Sequence, residues 1–200
     1  MERYPDISDH GLIGDLQTAA LVTTDGSIDW FCCPRFDSPS VFGSLLDADK
    51  GGYFRVAPDT DKYRSQQYFP DTAMLITRFL TEDGVGEVTD FMSIAGHEAT
   101  DRHRLVRQLR VVRDTMTFVA DVKPRFDYGG ARHTVDITSD GFVFTSGDMH
   151  LTMNPTGERQ IALGEHDGAT VERIGDDLRV TLALREGDTS GRPKVTVPVI

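Results

Sequence analysis

The sequence predicts an all-β protein, a large antiparallel β-sandwich, and three observations predict it. The first is alternation. Met116, Phe118, Ala120 and Val122 fall on one side of a segment, with Thr117, Asp121 and Lys123 on the other. Leu178, Val180, Leu182 and Leu184 repeat the pattern against Arg179, Thr181 and Arg185. A period of two over eight residues means a strand with one buried and one wet face. The second is punctuation. Asp25-Gly26, Asp83-Gly84, Asp140-Gly141, Gly147-Asp148, Asp167-Gly168 and Asp176-Asp177 divide the chain at the short intervals of a sandwich. The third is how little helix is signalled: one short helix over residues 39–46, where Ser38 reads as N-cap and Pro39 as first helical residue.

In chain order, residues 1–18 read as an irregular lead-in with turns at Gly11 and Gly14. Ala19 to Thr24 and Ser27 to Cys33 are strands joined by the Asp25-Gly26 hairpin, because glycine takes positive φ at no steric cost. Pro34, with no N–H for the ladder, ends the second strand. A loop from Pro34 to Ser38 then carries Arg35, Phe36 and Asp37 between two rigid elements, which makes it a candidate contact surface. Strands are expected at Tyr53 to Val56, Lys62 to Phe69, Ala73 to Thr81 and Val85 to Ile94. Ala95 to Arg102 reads as a polar loop with room for a helical turn. Arg104 to Val112, Thr134 to Ile137, Phe142 to Thr145, His150 to Met153 and Ala169 to Ile174 complete about a dozen strands.

Two hundred residues suit one domain with a sizeable core. A net charge of −11 argues against a nucleic-acid partner, since phosphate contacts need clustered cations. No apolar run is long enough to span a membrane. The opening MERYPDISDHG has no charged-then-apolar leader, so a cytoplasmic location is expected. Adjacent Cys32 and Cys33 should point to opposite faces of a strand, as small buried thiols and not a disulfide.

Acid–base hydrolysis by carboxyl groups needs two of them facing each other across the bond to be broken. Asp29, Asp37 and Asp90 are the best placed, beside aromatics, yet Asp in such settings usually caps a turn or pairs with an Arg. The six His are scattered without ligand spacing, so no metal and no cofactor are expected. Gly11 to Asp15 is not followed by the long helix a phosphate cradle requires. Ser8, Ser27 and Ser38 lack a nucleophile elbow. Trp30, the one Trp, lies inside a strand and is expected to hold the hairpin in the core, with Asp29, Gly26 and Pro34 as its structural surroundings. For Arg35, Phe36, Asp37 and Ser38 three roles compete: a sugar contact, a domain-interface contact, and a self-contained salt-bridged turn.

Several motifs occur in tight order: GLIGD (Gly11 to Asp15), TAALV (Thr18 to Val22), DGSIDW (Asp25 to Trp30), PRFDSPSVF (Pro34 to Phe42) and LLD…GG.F (Leu45 to Phe54). PDT.ML.TRF (Pro70 to Phe79), EVTDFM (Glu87 to Met92), HRLVR (His103 to Arg107) and P.FDYG (Pro124 to Gly129) follow. Together they resemble the N-terminal domain of bacterial and archaeal glycoside hydrolase family 15 proteins, the trehalase and glucoamylase-like group. The resemblance implies a sandwich of the super-sandwich type over residues 1–188. It also implies that the two catalytic glutamates belong to a C-terminal (α/α)₆ barrel, so no catalytic residue carries over to this chain. Residues 189–200 fall outside the resemblance and are set apart as an atypical tail, with no barrel after them. The expected partners are that barrel, in cis or in trans, and an α-glucoside at the domain interface. The whole enzyme would hydrolyse trehalose or maltooligosaccharides with inversion. The second reading is a free-standing sandwich that binds carbohydrate or a protein.

Overall fold

A computed structural model describes residues 4–60, 63–94, 103–138, 141–156, 164–166, 169–186 and 194–199. Its strands are His10–Gly14 (β1), Ala19–Thr23 (β2), Ser27–Cys32 (β3), Ser40–Phe42 (β4), Tyr53–Pro58 (β5), Tyr63–Tyr68 (β6), Leu75–Leu80 (β7) and Gly84–Met92 (β8). After them come His103–Lys123 (β9), Thr134–Thr138 (β10), Gly141–Ser146 (β11), Met149–Thr156 (β12), Gly164–His166 (β13), Ala169–Ile174 (β14), Asp177–Arg185 (β15) and Lys194–Val199 (β16). Short 3₁₀ turns occupy Ile7–Asp9 and Asp127–Gly129. The all-β antiparallel sandwich expected from alternation is what forms. The expected loop 95–102, Asp140, Asp167-Gly168 and His97 lie outside the described residues.

Strand β9 organises both layers. Its first half pairs with β8 on one side and β16 on the other, and its second half with β5 and β15. Local pattern separates these halves into two strands, Arg104 to Val112 and Met116 to Lys123. They are one 21-residue strand, with Asp114 in left-handed backbone (φ 60°) where β9 leaves one sheet for the other. The first sheet runs β1-β2-β3-β5-β9-β15-β14-β13 with β4 on β3, and the second runs β10-β11-β12-β16-β9-β8-β7-β6. Residues 194–199, expected to belong to an atypical tail, supply β16 between β12 and β9. Between the layers lie Phe31, Phe42, Phe54, Phe79 and Phe118, all buried, with the last two rings edge to face at 6.5 Å. Fully burying each such side chain contributes roughly 1.5–3 kcal/mol.

Two expectations need correction. The helix over residues 39–46 does not form. Ser40, Val41 and Phe42 are consecutive and all buried, and β4 pairs Phe42 with Phe31 and Ser40 with Cys32. Burying three successive side chains suits a bulged strand held in a core, whereas one helix face cannot present three in a row. The Ser38 hydroxyl accepts from the Arg35 N–H (3.1 Å), so it closes the preceding loop and caps nothing after it. The lead-in also contains β1, which pairs in full with β2. Gly11 does not turn the chain there. A Cβ on it would sit 2.4 Å from a Leu75 methyl, so glycine lets β1 approach the second sheet.

The outer edge of β1 is closed by a side chain. Leu12 donates its N–H to the Tyr68 hydroxyl (2.8 Å), which donates in turn to the Leu12 carbonyl (2.9 Å). One phenol thereby satisfies both edge groups of that residue, which would otherwise template an added strand.

Candidate functional site

One surface gathers most of the residues singled out in the sequence: the outer face of β1, β2 and β3 with the loops beside it. Register sets its composition. Leu12 is opposite Leu21, and Leu21 opposite Trp30, so the three form a row across the strands. Inward neighbours Ile13, Ala20, Val22, Ile28 and Phe31 are core. Trp30 is not. The β2–β3 register shifts so that Val22 faces Ile28 while Leu21 faces Trp30, which leaves Asp29 as an extra residue. That bulge reverses the alternation and turns Trp30 to the outer face, where it is half-buried. The expectation of a core Trp is therefore corrected. Its ring lies 6.4 Å from that of Tyr128, tilted by 40°. Tyr128 is 52% exposed and sits in left-handed backbone (φ 55°) between Asp127 (φ 53°) and Gly129 (φ 81°).

The Pro34–Ser38 loop stands at one end of this face. The Phe36 N–H donates to the Gln17 carbonyl (3.2 Å), which ties the loop to the β1–β2 turn. Arg35 Nε donates to Asp37 Oδ1 (2.9 Å), and both side chains are exposed. Hydrogen bonding from Arg35 and its charge hold the Asp37 carboxyl below the ordinary carboxylate range. Phe36 is 63% exposed. The loop is thus a salt-bridged turn that also presents an aromatic to solvent.

Each candidate carboxylate is engaged. Asp37 holds Arg35. Asp90 is fully buried against Arg107. Asp29 accepts from His10 Nε2 (2.8 Å), while His10 Nδ1 faces the Asp6 carbonyl (2.9 Å). With Asp29 ionised, both ring nitrogens face acceptors, and both bonds form together only in the protonated imidazolium. Burial opposes that charge, but the hydrogen bond and charge of Asp29, with backbone acceptors at Asp6 and Ile7, outweigh it and raise the His10 pKa above 6.5. Asp29 is itself raised, by burial first, against the opposing pull of His10. A second buried pair, His103 Nδ1 with Asp15 Oδ2 (2.6 Å), fastens the β1–β2 turn to β9, and Asp15 Oδ1 accepts from the Thr18 N–H (2.9 Å). Both cysteines are buried and free, and burial pushes both thiols up, Cys33 with a further push from the Asp15 charge.

A raised histidine pKa contributes stability that is complete below the unfolded value of 6.5 and is lost as pH rises through the folded value. His10→Gln is therefore expected to cost most below pH 6.5 and progressively less above it. Urea melts of both proteins from acid to alkaline pH, with an NMR titration of the His10 ring, check this. A gap that widens with rising pH would refute it.

Sequence reading does not single out Leu12, Leu21, Tyr128 or Arg107. Tyr128 and Arg107 lie inside the motifs P.FDYG and HRLVR, and those motifs are the available signal. Among the described residues no group of three or more His, Cys, Asp and Glu is placed to hold a metal ion, and no helix is long and apolar enough to cross a membrane.

Comparison with known proteins agrees with the motif order. The family model described as "Trehalase-like, N-terminal" matches residues 2–198. A trehalase of Thermoplasma volcanium is 37% identical over 149 residues, covering 73% of this chain and 24% of the relative. A trehalase of Mycolicibacterium smegmatis is 30% identical over 203 residues, covering 92% of this chain and 29% of the relative. A trehalase of Mycobacterium tuberculosis is 28% identical over 204 residues, covering 90% and 30%. The matched part of the chain spans 24–30% of the length of these curated relatives. With a match over nearly its whole length, the chain belongs to the family of trehalase-like N-terminal domains.

Proposed function

We propose that this chain is the non-catalytic N-terminal domain of a glycoside hydrolase of the family 15 kind, acting on α-glucosidic bonds, with trehalose as first substrate and maltooligosaccharides as second. Its role is to pack on a catalytic (α/α)₆ barrel, to order it, and to bring the Pro34–Ser38 loop to the active-site rim. In the barrel a general-acid glutamate protonates the leaving oxygen while a second glutamate activates water, the inverting arrangement. The observation that carries this reading is the family match over residues 2–198, with relatives named trehalase in which this segment is under a third of the protein. The engagement of Asp29, Asp37 and Asp90 with His10, Arg35 and Arg107 agrees with a structural role for this domain's carboxylates.

The purified chain is expected to release no glucose from trehalose, maltose or starch. Coexpressed with the remainder of the Mycolicibacterium smegmatis relative, its matching segment deleted, the chain is expected to copurify with it and yield trehalose hydrolysis. Glucose release by the chain alone, lost on mutating Asp29, Asp37 or Asp90, would overturn the non-catalytic assignment. Failure to copurify, with saturable binding of an α-glucoside by the chain alone, would favour the carbohydrate-binding module.

A further inference from the structure

We propose that the outer face of β1–β3, centred on Trp30 and Tyr128, is the surface on which the catalytic domain sits, and that Trp30 is its anchor. This rests on the domain-packing reading above and names the site of that packing.

Three independent observations converge on this face. The first is apolar exposure. Leu12 is 55% exposed and Tyr128 more than half, in the row and ring contact that hold the half-buried Leu21 and Trp30, and Leu16 (81%) and Phe36 are exposed in the loops at the end of the face. An aromatic pair continued by a row of leucines has the composition of an interface centre, where Trp and Tyr carry most of the binding energy.

The second is backbone strain. Of the five non-glycine residues with left-handed φ among the described residues, three belong to this face or its rim: Leu16 (φ 75°), Asp127 and Tyr128. Leucine and tyrosine have no local polar group to favour that conformation. Each is strained relative to a right-handed backbone. Such strain clusters where a side chain must be presented in a particular direction. Here it holds two apolar side chains out toward solvent.

The third is the closed edge of β1. Because the Tyr68 hydroxyl takes up both the N–H and the carbonyl of Leu12, a partner meets side chains on the face and not a free strand edge. The occupant is chosen by length. The matched segment is N-terminal by its family description and covers only 24–30% of the three trehalases, so most of each relative lies outside it and needs a docking surface.

The discriminating variant is Tyr128→Asn. Asparagine tolerates left-handed backbone better than tyrosine, so the variant should raise the melting temperature of the isolated chain while weakening docking at least tenfold. A merely structural Tyr128 predicts the opposite sign in the melt. Leu12→Lys at an exposed position should also weaken docking and leave the melt unchanged, and Tyr63→Ala on β6 should alter neither. The assay is copurification and titration of the chain with the coexpressed remainder of the Mycolicibacterium smegmatis trehalase.

Separately, trehalose and maltotriose are titrated against the emission of Trp30, the sole Trp of the chain. The expected result is no saturable change. If wild type docks while Tyr128→Asn and Leu12→Lys dock equally well, this face is wrong and the packing reading stands. If wild type does not dock at all, both fall. A saturable sugar-induced change in Trp30 emission would make the face a sugar platform and overturn the docking assignment.

Discussion

Replacing Arg107 with alanine is expected to remove about 3–5 kcal/mol of unfolding free energy, the range for breaking a buried ion pair from one side. Its side chain has no exposed surface. Nε donates to Asp90 Oδ1 (2.8 Å) and Nη2 to Asp90 Oδ2 (3.1 Å). Nη1 donates to the Phe54 carbonyl and Nη2 also to the Gly26 carbonyl, each at 2.7 Å. The guanidinium carbon lies 4.7 Å from the Phe54 ring centroid. One side chain therefore binds β8, β5 and the β2–β3 hairpin to β9. Its removal strands a buried carboxylate and takes a donor from two buried carbonyls, of which that of Gly26 keeps the Val56 N–H. Domains of this kind have about 5–15 kcal/mol in total, so the loss is a large fraction. Arg107→Lys should recover only part of it, because a single ammonium cannot reproduce the planar fork. Arg107→Met with Asp90→Leu should recover more than Arg107→Met alone, since no charge is left unpaired. Urea melts of the four variants decide it. A loss below about 1 kcal/mol for Arg107→Ala, under the usual cost of an unsatisfied buried group, would mean that solvent or a neighbour replaces the fork.

Much of the fold is legible in the residues, and what is not has physical causes. Alternation finds β15, whose buried residues alternate with more exposed ones. It also finds the second half of β9, although Val119 and Asp121 there are buried along with Phe118, Ala120 and Val122, so the expected wet face of that half is covered. Asp90 can be expected to pair with an arginine. Which arginine depends on the β8–β9 register, which places Asp90 opposite Arg107 across a connection whose geometry no local rule supplies. One inserted residue misplaces Trp30: a bulge at Asp29 carries no composition signal yet inverts every side chain after it. The same limit hides the outer face of β1–β3, since Leu12, Leu21 and Trp30 lie on three different strands and become a row only through two registers. Ser38-Pro39 carries a valid helix-start signal, and the burial of Ser40, Val41 and Phe42 overrides it.

Gly26→Ala should destabilise the chain on the order of 4 kcal/mol, combining about 1–2 for an L residue in left-handed backbone with roughly 1–3 for displaced buried hydrogen bonds. Gly26 has φ +82°, and a Cβ there would lie 2.2 Å from the Val56 carbonyl oxygen and 3.1 Å from the Phe79 ring. Neither neighbour can yield cheaply. Val56 donates its N–H to the Gly26 carbonyl (3.0 Å), the same oxygen that accepts from Arg107. Pushing β5 away from the hairpin thus disturbs the Arg107 fork as well. Gly147 separates the two contributions. It has φ +58°, and a Cβ there would meet nothing within 4 Å, so Gly147→Ala carries the conformational cost alone, about 1–2 kcal/mol. Because Gly26 and Arg107 share an acceptor, Gly26→Ala combined with Arg107→Ala should cost less than the sum of the two changes, by at least about 0.5 kcal/mol in a double-mutant cycle. Denaturant melts of the three alanine variants and the double variant test this. Equal losses at Gly26 and Gly147, or strict additivity with Arg107, would show that the hairpin turn and the buried arginine stabilise the fold independently.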